Sequence, residues 1–447
     1  MRLSKRLKTV FQVSALGGAS RGGTAWRVPT FVTTTLIAAG VVAAGAATTA
    51  LAAAPTSDAD LEAKARAIDA RVLKIDAHTD VLLPSSSAVN FTPDHGSQTS
   101  LEKLRRGNIG TLAIAIAVGP GPRTPEGAAA AHSEADAKLA WIQAFIKEHP
   151  DQVSLALTPG DIAKIHASGE IAVIESFQNT RSIGTDLGAI DRLYHDGVRL
   201  FGFTHAGNND FADSSRPSGE PAIEHHGLSP LGKQAVAKLN QLGVIIDVSQ
   251  LTPEGVLQTI ALSKAPVIAS HSDVRALVDN TRNLSDAELD AIKRNGGVVH
   301  ITPFNPYLRP LASDFDAKTA VLRQKYGLPP TQKHGPAGAE EGIDALPADR
   351  LPSFLSEFRA LLPQATLSDY IDHLDYIVKR IGIDHVGIGT DFNHGAGVIG
   401  FSDESQAPNV TRELVRRGYT QEQIAKIWSG NFLRVFREVE AVAKKSH

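Results

Sequence analysis

The side chains of this chain best suited to chemistry recur at one kind of place, the end of a short apolar run. His78 and Asp80 follow Val72–Ala77, and Glu175 closes Ile171-Ala172-Val173-Ile174. His205 follows Val198–Thr204, Gln250 follows Val244–Ser249, His271 follows Pro266–Ser270, and Asp391 ends Val386-Gly387-Ile388-Gly389-Thr390. On an extended strand residues i and i+2 share a face, so a His-x-Asp pair can converge on one cation. The pair by itself is a common accident of sequence. A carboxylate at 175 inside an apolar run is costly unless it is neutralised or bound to metal, although a salt-bridged core glutamate would meet the same constraint.

If metal is the answer, a carboxylate can bridge two divalent ions about 3.5–4 Å apart, an arrangement that activates a shared water. His271, as a neutral imidazole, suits the second ion. Asp391, placed over that water, could accept its proton and deliver it to a departing amine. The plainer alternatives are a hydrogen-bonded core histidine at 271 and a helix-capping aspartate at 391. His225-His226 and Gly207-Asn208-Asn209-Asp210 read as loop chemistry rather than ligands. The absence of cysteine from the sequence excludes disulfides, thiolate ligands, a cysteine nucleophile and a lipidated cysteine anchor.

Positioning these residues requires strands that end side by side. Eight β-branched apolar runs (72–77, 111–118, 171–175, 198–204, 244–249, 266–270, 298–302 and 386–391) alternate with helical patterns, the signal for a parallel sheet with crossover helices. Eight such units predict an α/β fold, a (β/α)8 TIM barrel, whose reactive residues sit at the C-terminal ends of the strands. Helices are expected over Ser133–Glu148, Pro159–Ala167, Gly188–His195, Pro230–Leu242, Pro253–Leu262, Asp286–Arg294 and Leu367–Arg380, with Asn409–Arg417, Gln421–Trp428 and Phe432–Ala443 closing the chain. Ser229-Pro230 and Thr252-Pro253 read as an N-cap followed by proline at the first helical position. The proline-rich stretch from about Pro303 to Pro363 reads as a long irregular loop, the expected wall or lid of the site.

The 447 residues hold 45 Lys plus Arg against 48 Asp plus Glu, so no strong basic field argues for nucleic acid or an anionic membrane. A small molecule is the better partner. The N-terminus differs from the rest: Arg2, Lys5, Arg6, Lys8, Arg21 and Arg27 precede any acid, and an uncharged run from Val28 to Ser57 follows. That pattern, ending Ala50-Leu51-Ala52, predicts a signal peptide over residues 1–52 and an exported, periplasmic or secreted catalytic barrel over 53–447. An uncleaved run of this length would instead serve as a membrane anchor. Cleavage moves the net charge from −3 to about −9.

The ordered segments Asp76-Ala77-His78-Thr79-Asp80, Gly197-Val198-Arg199 leading to Thr204-His205, Ile246-Asp247-Val248-Ser249, Ser270-His271-Ser272, Thr281-Arg282-Asn283, Gly389-Thr390-Asp391-Phe392 and Gly430-Asn431-Phe432 resemble the membrane (renal) dipeptidase family of amidohydrolase-type metallopeptidases. The resemblance runs from about Ile75 to Phe436. It implies two zinc ions, with His78 and Asp80 on the first, Glu175 bridging, and two histidines, one of them His271, on the second. The other histidine is replaced here by Gln250, whose amide is a weaker zinc ligand. Either one ion does the work, or the second exchanges fast.

The resemblance also implies that His205 helps polarise the substrate carbonyl and that Arg282 holds the substrate's carboxylate in a bidentate pair. The expected reaction is hydrolysis of a dipeptide with Asp391 as proton shuttle. The alternatives are another small amide or ester served by an altered second site, and a barrel that binds peptides without cleaving them. A small peptide is the expected partner, a membrane only if the leader is retained, and a homodimer is the assembly to look for.

Overall fold

A computed structural model of the chain describes residues 57–445, apart from 93–95, 218–220 and 332–333. The expected signal segment, residues 1–52, lies outside the described residues. Residues Pro55–His447 form one compact unit.

Among the described residues nine parallel strands are present: β1 Ile75–Asp80, β2 Thr111–Ala117, β3 Val153–Leu155, β4 Ile171–Gln178, β5 Val198–Gly202, β6 Ile245–Asp247, β7 Ile268–Ala269, β8 Val298–Ile301 and β9 Val386–Ile388. Eight of them follow the order β1-β2-β4-β5-β6-β7-β8-β9, and β3 flanks β4. A parallel bridge between Thr79 and Phe392 joins the first strand to the chain beyond the last. The result is the expected (β/α)8 barrel. The short β3 was not expected from sequence, because three residues are too few to carry a period-two pattern.

Side-chain alternation divides the apolar residues into two layers. Ile75, Ala113, Ala172, Ile174, Leu200, Ile245, Ile268 and Val298 point inward and cluster with Phe432, Val435, Phe436 and Val439 of the C-terminal helix Asn431–Lys445. Most of these lie early in their strands, so that helix plugs the end of the barrel where the strands begin and leaves the other end for chemistry. Ile114, Val173, Phe177, Phe201, Ile246 and Ile388 point outward into the helix layer.

The helix starts follow their sequence signals. Ser229 and Thr252 accept hydrogen bonds from the Gly232 and Gly255 amides, and Pro230 and Pro253 occupy first-turn positions where no N–H is needed. Ser285 and Thr366 each form a reciprocal capping box.

The stretch expected to be an irregular loop is instead helical. Asn305–Leu308, Phe315–Tyr326, Gly335–Glu340 and Leu351–Leu361 are helices, and Phe315, Leu322, Tyr326, Ala339, Ile343, Phe354 and Phe358 form a small core of their own. The prolines that suggested breaks, Pro306, Pro336 and Pro352, sit in first turns of these helices, where proline is tolerated.

Close approach across the barrel depends on Gly389. Its amide donates to the Ile301 carbonyl at 3.0 Å, and a Cβ there would lie 2.0 Å from the Ser270 carbonyl oxygen. Because backbone cannot yield as a flexible side chain can, Gly389→Ala should cost about 2–3 kcal/mol of unfolding free energy. Urea denaturation monitored by circular dichroism checks this; a loss under about 0.5 kcal/mol would contradict the packing described.

Candidate active site and metal centre

The strand ends bring His78, Asp80, His205, Gln250, His271 and Asp391 to one cup. Strand β1 arrives irregularly: its pairing with β2 shifts register between Asp76 and Thr79, so three steps on β1 match two on β2. This bulge re-aims His78, whose ring stacks on that of His271 with centroids 3.8 Å apart. Gln250 and Asp391 both adopt left-handed backbone conformations, φ 70° and 54°, unusual for non-glycine residues. Strain of this kind clusters where a side chain must be aimed.

His78 Nε2 lies 3.5 Å from Asp80 Oδ1 and 3.9 Å from Asp391 Oδ1. His78 Nε2 and Asp80 Oδ1 are both buried with no hydrogen-bond partner. The other Asp80 oxygen pairs with His394 Nδ1 at 2.7 Å. Burial opposes charge on His78, but Asp80, Asp391 and Asp247 outweigh it and raise its pKa. Burial likewise opposes ionisation of Asp80, yet His394 and His78 hold that carboxyl well below its usual value. For Asp391 burial wins and the pKa rises. Two orphaned buried atoms with acids around them are a donor set for one divalent cation.

His205 is neutral for a different reason. Burial, and then the cations His394 and Arg216, push its pKa well down, and its Nδ1 is buried without a partner. Its ring meets that of His394 edge-on at 5.0 Å. Beside them opens a cavity of about 400 Å³ lined by Asp80, Leu83, Ser85, Ser86, Lys138 and His205, among others.

The other half of the expected binuclear site is not brought together. Glu175 shares the outward side of β4 with Val173 and Phe177, where a Cβ on Gly197 would lie 2.6 Å from its Oε2. Alternation along the strand explains this: Ala172 and Ile174 face inward, so the inward position at the strand end falls on Gln178, not on Glu175. The bridging assignment of Glu175 is therefore corrected. Its pKa rises to about 7, through burial first and then Asp196, with Arg199 in opposition.

From the inward side of the strand end, the Gln178 amide approaches His271 Nε2 at 3.4 Å. The Gln250 amide nitrogen is nearer, at 3.1 Å, while its oxygen accepts from Arg216 at 3.0 Å. His271 Nδ1 lies 2.7 Å from Ser270 Oγ, which donates to Asp247 Oδ2 at 2.5 Å. Burial and neighbouring cations depress His271 strongly, in keeping with a neutral ring.

His78, Asp247 and His271 have ligand atoms within 4.8 Å of one another. Asp247, however, already accepts from the Ser249 and Ser270 amides and the Ser270 hydroxyl. This trio is a hydrogen-bonded frame, whereas the His78–Asp80 pair is open. The residues fit one cation and do not fit a second.

Arg282 is buried behind His271, donating to its carbonyl at 2.9 Å and lying over the Tyr307 ring, with Nε unpartnered. His394 and Arg216 also reach the cup, although no sequence pattern marks them. His394 stands three residues beyond Asp391, a spacing with no meaning on an irregular loop. Arg216 reaches the cup only because the loop after β5 pairs with the Gln250 loop, Ser214 bridging Leu251. Glu340, from the helical insertion, also faces His394 and Arg216, and burial lifts its pKa to about 7.

The chain matches the profile of the membrane dipeptidase family, peptidase family M19, over residues 62–447. The chain belongs to this family. By family and fold it is a metallo-dipeptidase. The probable dipeptidase PvdM from Pseudomonas aeruginosa superimposes with a TM-score of 0.74 at 39% identity, over 87% of this chain and all of that one. Dipeptidase tcpJ of Claviceps purpurea is 30% identical over 68% of this chain, which spans 59% of tcpJ's length. Dipeptidase verJ of Clonostachys rogersoniana is 29% identical over 78% of each chain. A Rhodobacter sphaeroides metallopeptidase, solved with a phosphinate mimic of L-Ala-D-Ala, shares the fold at TM-score 0.63 and 22% identity, over 82% of this chain and 99% of that one.

Because Glu175 faces the helix layer, Glu175→Gln should leave metal content unchanged. It should also alter the pH dependence of stability. An acid whose folded pKa is raised stabilises the fold fully below its unfolded pKa near 4.5, and that contribution is lost as pH rises through about 7. Relative to wild type, Glu175→Gln should therefore gain on the order of 2 kcal/mol between pH 5 and pH 8. Parallel urea titrations at the two pH values measure it; an equal offset at both would show that Glu175 does not titrate as described.

Proposed function

We propose that this family member hydrolyses the amide bond of dipeptides at a centre holding a single zinc ion on His78 Nε2 and Asp80 Oδ1, with Asp391 within reach of the same point. The observation that carries this reading is the pair of buried, unpartnered ligand atoms 3.5 Å apart at the mouth of an M19 barrel. When bound, the ion would supply Lewis acidity to the scissile carbonyl and to a water.

The chain's own groups do the rest. Asp391, its proton affinity raised by burial, accepts a proton from the attacking water and returns it to the leaving amine. His205 is kept neutral, so it meets the substrate through hydrogen bonding rather than charge. Asp80 holds His394 in place through its second oxygen. Arg282 supplies the positive field for the free carboxylate end. A second reading, a different small amide or ester, is favoured by Gln178 and Gln250, which change the floor of the cup. The basic, then uncharged N-terminus of the sequence supports export by a leader over residues 1–52.

The test is zinc-dependent release of amino acids from a dipeptide panel. His78→Ala and Asp80→Asn should lose zinc and turnover together. Asp391→Asn should keep its zinc and lose about 10²–10⁴ in kcat. Absence of turnover by the wild type in excess zinc, across the panel, would sink the proposal.

A further inference from the structure

Arg216 is tied into the centre by backbone as well as side chain. Its carbonyl accepts from the Gly207 amide at 2.7 Å, its amide donates to Ser214 Oγ at 3.1 Å, and the next residue back, Ser215, donates to the Gln250 carbonyl at 2.8 Å. Its guanidinium donates to the Gln250 amide oxygen at 3.0 Å, and its Nε is buried without a partner. Its charge bears on His205, His271, His394, Arg282 and Glu340.

This contact sets the direction of everything beyond it. With the Gln250 oxygen facing the guanidinium, the Gln250 NH2 must face His271, so His271 Nε2 is an acceptor and its proton sits on Nδ1. Nδ1–H then donates to Ser270, and Ser270 to Asp247. One polarised chain runs from a guanidinium to a carboxylate, each link donating in the same sense. His271 Nε2, the atom a second ion would need, is already taken by amide protons. The Gln250 oxygen, the only atom of that amide able to bind metal, is taken by Arg216.

The charge also balances. A divalent ion bridged by one carboxylate leaves a net charge of one positive. Two neutral glutamines and a guanidinium, which stays protonated in proteins, leave the same. We propose that Arg216 is the resident cation of this centre's second-ion position: anchored through Gln250 on His271, it supplies there the positive charge that a metal would bring, and it keeps a second metal out. The inference deepens the single-zinc reading above and rests on it for the first ion only.

Zinc stoichiometry tests it without any substrate. The full chain is stripped with a chelator, titrated with zinc against a chromophoric competitor, and its bound metal counted by mass spectrometry. Wild type should bind one zinc, and Arg216→Ala, which frees the Gln250 oxygen but leaves only amide ligands beside His271, should bind one tightly and a second only weakly. The triple variant Gln178→Glu, Gln250→His, Arg216→Ala should bind two. The double variant that retains Arg216 should bind its second zinc at least tenfold more weakly than the triple. Two tightly bound zincs on the wild type, or equal second-site affinity in double and triple variants, would overturn the proposal. Wild-type stoichiometry decides the exclusion of a second ion even if the triple variant fails to fold. One zinc without dipeptide cleavage would sink the proposed reaction and leave this inference standing, and two zincs with cleavage would do the reverse.

Discussion

Asp76 lies at the join between the first and last barrel strands, and its two oxygens hold that join together. One accepts from the His78 and Thr390 amides, at 3.2 and 2.9 Å, and the other from the Thr390 hydroxyl at 2.7 Å. Burial pushes its pKa up to about 6 even though these bonds favour the charged form. The His78 carbonyl returns the contact by accepting from Asp391, and the Thr79 hydroxyl donates to the Phe392 carbonyl. His78, Asp80 and Asp391 thus come from opposite ends of the chain but share one hydrogen-bonded seam. The spacing of the proposed zinc ligands is set by barrel closure and not by a flexible loop, which is what a preorganised centre requires.

Burial at that seam governs the chemistry of the cup. Nearly all of its ionisable side chains are desolvated, so each charge persists only where a partner offsets the cost. Asp80 stays ionised because two histidines flank it, whereas Asp391, with weaker support, drifts toward protonation. His205, flanked by cations, is neutral. One wall thus contains a carboxylate fixed in charge, a carboxylate able to exchange a proton and an imidazole that carries none, a division of roles produced by neighbours rather than by residue type.

Much of this was legible in the sequence where a regular pattern carried it. The eight barrel strands, the proline-initiated helices and the strand-end residues His78, Asp80, His271 and Asp391 followed from apolar runs and caps. The placement of Glu175 did not, because the end of an apolar run need not be the end of its strand. The strand continues to Gln178, and because both faces of Ile171-Ala172-Val173-Ile174 are apolar, the sequence does not mark which parity faces the barrel interior. Arg216 and His394 belong to loops, where spacing says nothing about proximity. The insertion after β8 carries prolines that suggest breaks in the sequence but sit in the first turns of helices packed on a separate apolar cluster.

Gln178, Gln250 and Arg216 form one coupled arrangement around His271. A carboxylate at 178 would be a further buried acid in the cup, and its desolvation would have to be offset by a cation. An amide there removes that cost. Gln250 without Arg216 would have no fixed orientation and could turn its oxygen toward His271 or toward a metal; the guanidinium removes that freedom. Arg216 beside a true binuclear site would face a divalent ion across a low-dielectric gap, a repulsion that no group among the described residues would relieve. Together the two amides and the guanidinium carry the same net charge as a divalent ion bridged by one carboxylate. That mutual dependence makes the amide–guanidinium arrangement one coupled, charge-balanced unit of the cup.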